Sequence, residues 1–169
     1  MANSESTLVA TGNLQGSGRR ALKTIVIAGL TAGALDITYA FIIWGLRGVS
    51  PIRIGQSIAA GLLGREAAVG GGTATGLFGL LLHFILATII AAIYYFAARN
   101  VRLLVDRAVP FGIAYGLVTY GVMNYVVLPL SAIGSTGGGG PLYITITGVL
   151  VHMFLIGLPI ALISRKALR

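Results

Sequence analysis

Five residues able to hold or pass a charge lie within otherwise apolar stretches of this chain: Asp36, His83, Tyr120, Asn124 and His152. A carboxylate with two imidazoles, groups that titrate near neutral pH, can accept and release a proton or take a small cation. Asp36, His83 and His152 also form a two-histidine, one-carboxylate set suited to Zn²⁺ or another divalent metal. No HExxH or other close ligand spacing accompanies them. A third chemistry is haem. In an up-down-up-down bundle the second and fourth helices are diagonal, and histidines facing one another at one depth can supply both axial ligands of a b-type haem. Glycines would make room for the macrocycle, but cations to receive its propionates are lacking near that depth. Against all three stands a structural use: Asp36 hydrogen-bonds one histidine, Tyr120 and Asn124 satisfy the other, and the network fixes helix register.

The elements that carry these residues follow from composition. Of 169 residues, 56% are hydrophobic and 9% charged, and the mean hydropathy is +0.93, far outside the range of soluble domains. The chain reads as an all-α, polytopic membrane protein. The absence of cysteine excludes disulfide frameworks, thiolate metal sites, Fe–S clusters and cysteine nucleophiles. A bilayer-crossing helix needs about 20 apolar residues. Four windows qualify, at about Thr24–Leu46, Thr73–Ala98, Val109–Ile133 and Leu142–Ser164. They divide the chain into a polar tail, residues 1–18, expected to be flexible, and a four-span membrane domain, residues 19–169.

Short loops set orientation through their Lys and Arg content. Arg19, Arg20, Lys23, Arg99, Arg102, Arg107, Arg165, Lys166 and Arg169 fall on one side, leaving only Arg47, Arg53 and Arg65 of the twelve basic residues on the other. The expectation is an N-in, C-in protein of a bacterial inner membrane. The net charge of +8 is then a topology signal, and nucleic acid is not an expected partner. The first eighteen residues lack the basic and apolar regions of a cleavable signal peptide.

With this topology Asp36, His83 and His152 each lie ten residues from the outer end of a span, at similar depth. Tyr120 and Asn124 sit one helical turn apart near the same level. Gly29, Gly33 and Asp36 share a face, as do Gly76, Gly79 and His83, then Gly112, Gly116 and Tyr120, then Gly148 and His152. Small residues allow close helix approach, and the GxxxG spacings at Gly29/Gly33 and Gly112/Gly116 indicate packing more often than dimerisation.

In the first outer loop, Ser50 and Pro51 form an N-cap and N1 pair, followed by Ile54, Ile58 and Leu62 before Gly64. A short interfacial helix covering the bundle is predicted there, with Arg65 and Glu66 pairing at its end and Gly70, Gly71 and Gly72 acting as a hinge. Trp44, Tyr94, Tyr95 and Phe96 read as interfacial anchors. Pro129 is expected to help end the third span, and Pro159 to kink the fourth. The TGGGGP run, Thr136 to Pro141, lacks the lysine and the strand-to-helix context of a phosphate loop and reads as a flexible turn.

The stretches GLLGREAAVGGGTATGLFGLLLHFILATIIAAIYYFAARN, YGVMNYVVLPLSAI and VHMFLIGLPIALISR resemble a group of uncharacterised small bacterial integral membrane proteins, a likeness covering most of residues 24 to 166. In the order of a glycine-rich first span, a long polar loop and histidines in the second and last spans, the chain more distantly resembles YagU-like inner-membrane proteins. The resemblance implies four spans in the inner membrane and carries no activity with it.

The function expected is that of a non-enzymatic membrane protein that moves or senses a proton or small cation, in contact with the lipid bilayer and as a homo-oligomer or an accessory subunit. The alternatives are a b-haem protein or a structural subunit of a larger membrane complex. A hydrolase or transferase would need a nucleophile in the polar layer, which has no serine at its own depth.

Overall fold

In a computed structural model of the chain, the described residues are all helical, with no strand. The structure describes residues 17–134 and 141–169 in full, and residues 2–16 only as backbone of the first helix. The tail expected over residues 1–18 thus lies almost wholly outside the described side chains, and most of the third loop, residues 135–140, lies outside the described residues. The elements are α1 (Ala2–Gly45), α2 (Pro51–Leu63), α3 (Arg65–Gly70), α4 (Gly72–Asn100) and α5 (Arg102–Asp106), then α6 (Ala108–Leu130) and α7 (Leu142–Leu168). Four segments are long and apolar enough to cross a membrane: Ser17–Gly45 of α1, then α4, α6 and α7.

Local chemistry sets the boundaries. Ser50 accepts a hydrogen bond from the Arg53 N–H at 3.4 Å and Pro51 occupies N1, so α2 starts where its cap predicts. Gly64 ends it at φ 79°, a left-handed conformation that favours glycine. Arg65 and Glu66 open α3 and do not pair with each other. The third span stops at Leu130, short of the expected Ile133. Ser131 turns back to donate to the Leu128 carbonyl at 2.7 Å, and the Ala132 N–H goes to Gly61 O of α2 at 2.9 Å.

Neither α6 nor α7 is regular throughout. Each widens into a π turn, at Met123–Val127 and His152–Gly157, and each turn ends two residues before a proline, Pro129 or Pro159. Proline lacks the N–H for an α-helical bond and its ring collides with the carbonyl four residues earlier. The π turn, closed by Leu128 N–H to Met123 O and by Leu158 N–H to Met153 O, relieves that collision.

Small residues let the spans approach. A Cβ on Gly29 would meet Thr88 Cα at 2.5 Å, and one on Gly116 would meet the His152 carbonyl carbon at 2.6 Å. Both GxxxG pairs are therefore used inside the chain, Gly29/Gly33 against α4 and Gly112/Gly116 against α7. Gly76 and Gly79 behave otherwise than their shared face with His83 predicts, because they pack on Ile52, Gly55 and Ala59 of α2. The core is accordingly built from Ala28, Ala32, Ala91, Ala98 and Ala161 around Tyr94, Ile156 and Ile160. Large aliphatics face outward, among them Leu77, Leu81, Ile85, Ile89 and Ile93, a stripe of period four along α4. That inversion of the soluble pattern suits a lipid surround.

The C-terminal span α7 packs on α1, α4 and α6. The second and fourth spans are thus neighbours and not the diagonal pair expected of a square bundle. At one end of the molecule, Ala21 and Ile25 meet Tyr95, Ala167 and Leu168, which gathers the nine basic residues named above into a basic end. The opposite, α2 end is pinned by Arg47, whose guanidinium lies 5.0 Å from the Trp44 ring centroid and 5.2 Å from that of Tyr143, and donates to the Tyr143 hydroxyl at 2.5 Å.

Candidate functional site

Two pairs of spans each contribute half of a polar centre. On α1 and α4, His83 Nε2 donates to the Gly33 carbonyl at 2.9 Å and lies 4.0 Å from Asp36 Oδ2. The approach is close because residue 33 is glycine: a Cβ there would meet Phe84 Cδ1 at 2.9 Å. On α6 and α7, His152 Nδ1 donates to Gly148 O at 2.9 Å, and its ring meets Tyr120 edge-on, 5.2 Å between centroids and 86° between planes. Gly148 makes that contact possible, since a Cβ would stand 3.1 Å from Tyr120 Cε2.

The halves meet at a small cavity of 60 Å³ bordered by Asp36, His83 and His152, with Gly33, Met123, Ile90 and Ile156 completing its wall. That is room for roughly two to four water molecules. Asp36 and His83 also border a second space, a 380 Å³ cleft that reaches the α2 end between Trp44, Val49 and Arg53. Their side chains are 23% and 14% exposed respectively, so both touch solvent-accessible space without leaving the bundle. Toward the basic end the centre is sealed by packed Ala28, Ala91, Tyr94, Ile156 and Ile160.

Of the residues expected to form one polar layer, Asp36, His83 and His152 line the same cavity. Tyr120 reaches it through its contact with His152. Asn124 does not join, because its amide donates to Tyr120 O at 2.9 Å within its own helix. The expected side-chain network is replaced by backbone acceptors: each histidine is satisfied by a glycine carbonyl, not by Asp36, Tyr120 or Asn124.

Met123 and the cleft residues Trp44, Arg53 and Ser57 were not anticipated as part of this site. Met123 carries no polar signal. The polar face of α2, Arg53, Gln56 and Ser57 at helical spacing, was visible in the sequence and reads equally well as a solvated surface.

The geometry limits the chemistry. Among the described residues no three histidine, aspartate or glutamate side chains gather closely enough to share a metal ion. A haem macrocycle has no space between His83 and His152 in a 60 Å³ cavity, and His83 Nε2 is already committed to Gly33. Ser57 shares the cleft with His83 and Asp36, yet its hydroxyl donates to Ile54 O at 2.7 Å, so it makes no Ser–His pair. What the centre can do is hold a proton among one carboxylate, two imidazoles and a few waters.

Comparison of the chain with family models, with curated proteins and with solved structures gives no match. Nothing in these comparisons bears on the resemblance noted from the sequence.

Proposed function

We propose that the chain is a non-enzymatic, multi-pass protein of a bacterial inner membrane, with both termini cytoplasmic, in which Asp36, His83 and His152 take up and release a proton. The observation that carries this reading is that Asp36 and His83 belong both to the cleft open at the α2 end and to the small cavity bordered by His152. A proton arriving through the cleft meets the Asp36/His83 pair first and His152 beyond it, while the packed alanines and isoleucines close the way to the basic end. Access from one side only favours a sensor, or one stage of a carrier, over an open channel. A proton is favoured over a metal ion because the cavity holds only a few waters and no three-ligand cluster.

A second reading has its own support. Each ring has one nitrogen satisfied by a carbonyl, at 2.9 Å in both cases, which is how a histidine serves helix register in a structural subunit of a larger complex. Nitrogen-15 NMR of histidine-labelled protein in lipid nanodiscs separates the two. Proton uptake requires imidazolium signals to grow as the pH is lowered, and Asp36→Asn to change that response. Rings that stay neutral throughout sink the proton reading. Flux into proteoliposomes with a trapped pH dye then tells carrier from sensor.

A further inference from the structure

A second pair of spaces adjoins the proton centre along α2, sharing Arg53 and Ser57 with its cleft and Met123 with its cavity but neither Asp36 nor either histidine. The first is a pocket of 370 Å³ lined by Arg53, Arg65, Gln56 and Ser57 at the α2 end. Gln56 is only 4% exposed and is locked in place: its amide donates to Gly72 O at 2.9 Å and Val69 O at 3.4 Å. Its remaining oxygen accepts from Arg53 Nη1 at 3.3 Å and so orients that guanidinium. Among the described residues neither Arg53 nor Arg65 has a carboxylate within 4.0 Å, even though Glu66 follows Arg65 directly. Two guanidinium groups without a carboxylate partner border one pocket and make it electropositive, and their planar forks suit phosphate oxygens.

The second space is a groove of 540 Å³ between α2, α4 and α6, walled by Ile58, Leu82, Leu86, Met123 and Val127, and almost without polar lining. Ile133 borders both spaces, so the groove runs up to the arginine pocket. The groove persists because the chain beyond α6 crosses to α2, where Ala132 N–H bonds Gly61 O, bridging the top and leaving the middle unfilled. An apolar groove beside a two-arginine pocket is complementary to a lipid with an anionic head.

We propose that this face binds an anionic phospholipid, its phosphate held by Arg53 and Arg65 and one acyl chain lying in the groove between α2, α4 and α6. The site does not depend on the proton reading. Gln56 acts as a positioning residue for Arg53, and the net negative charge of the lipid, not its phosphate alone, answers the two arginines.

The test is native mass spectrometry of the full chain released from mild detergent with added phosphatidylglycerol or phosphatidylcholine, repeated with inorganic phosphate. Wild-type protein should retain one phosphatidylglycerol in preference to phosphatidylcholine. Arg53→Gln with Arg65→Gln should weaken that retention by about tenfold, and a thermal unfolding midpoint equal to that of wild type shows that the double variant is folded. Equal retention of both lipids by wild type and variant would mean annular lipid only and overturns the proposal. Displacement by inorganic phosphate at comparable concentration would assign the pocket to a free anion and overturns the lipid as its occupant.

Discussion

The Nε2 of His83 stands 2.9 Å from the carbonyl of Gly33, and because a carbonyl can only accept, the neutral ring carries its proton there and its lone pair on Nδ1. His152 is set the opposite way, with Nδ1 facing Gly148 O at 2.9 Å. The two histidines of this chain are therefore expected in opposite tautomers at high pH. Nitrogen-15 shifts of the labelled protein should show one Nε2–H ring and one Nδ1–H ring, and His83→Ala should remove only the Nε2–H set. Two identical tautomers would mean that one of the carbonyl bonds does not form. Asp36→Asn should leave both tautomers as they are, since the acceptors are backbone.

Gly116 and Gly121 lie on one helix and test the packing directly. A Cβ on Gly116 would meet Met153 Cα at 2.5 Å and the His152 carbonyl carbon at 2.6 Å, both backbone atoms, whereas one on Gly121 meets nothing within 4 Å. Gly116→Ala should cost about 1–3 kcal/mol through forced separation of α6 and α7. Gly121→Ala should be neutral or gain up to about 1 kcal/mol from helix propensity. Reversible unfolding in mixed micelles reads both, and equal stabilities would contradict the contact.

Ser164 is fully buried, at 0% exposure, and its hydroxyl has no hydrogen-bond partner among the described residues. A buried hydroxyl left unpaired is a net cost, so Ser164→Ala should raise stability by about 1 kcal/mol. A loss of stability on that change would show that the hydroxyl is bonded in the membrane.

The space between the histidines is too small for a tetrapyrrole. Protein purified in mild detergent, incubated with haemin and washed, should give a flat reduced-minus-oxidised spectrum and no stoichiometric iron. A sharp reduced-state band lost on His152→Ala would mean that α4 and α7 separate far beyond their contact here.

Much of this architecture was readable from composition and spacing, because a membrane leaves few ways to arrange an apolar chain. The four windows, the Ser50–Pro51 start and Gly64 stop of α2, and the inward use of Gly29/Gly33 and Gly112/Gly116 all follow from local rules. The similar depth of Asp36, His83 and His152 followed from counting residues along each span, but that they border one cavity did not. Lateral order did not, since nothing in a helix's own residues tells which neighbour it will meet. The π turns before Pro129 and Pro159 were hidden for a related reason: proline announces a disturbance without saying whether the helix will break, kink or widen. The bond of Asn124 back to Tyr120 O was not legible because a polar residue in a span has two ways to be satisfied, across to another helix or back to its own carbonyls.

The central place of α7 governs how the molecule can be made. Of the four spans it is the last to be synthesised, yet it is the one on which α1, α4 and α6 all pack. Until it arrives, α1 and α4 hold Asp36 and His83 against a gap that only lipid or water can occupy, and α6 has no glycine-lined partner. Assembly is therefore completed only when α7 closes on the other three spans, and a ribosome stalled before residue 142 should leave a nascent chain in which α1, α2 and α4 can pack but α6 stays open to proteases and to chaperones of the membrane.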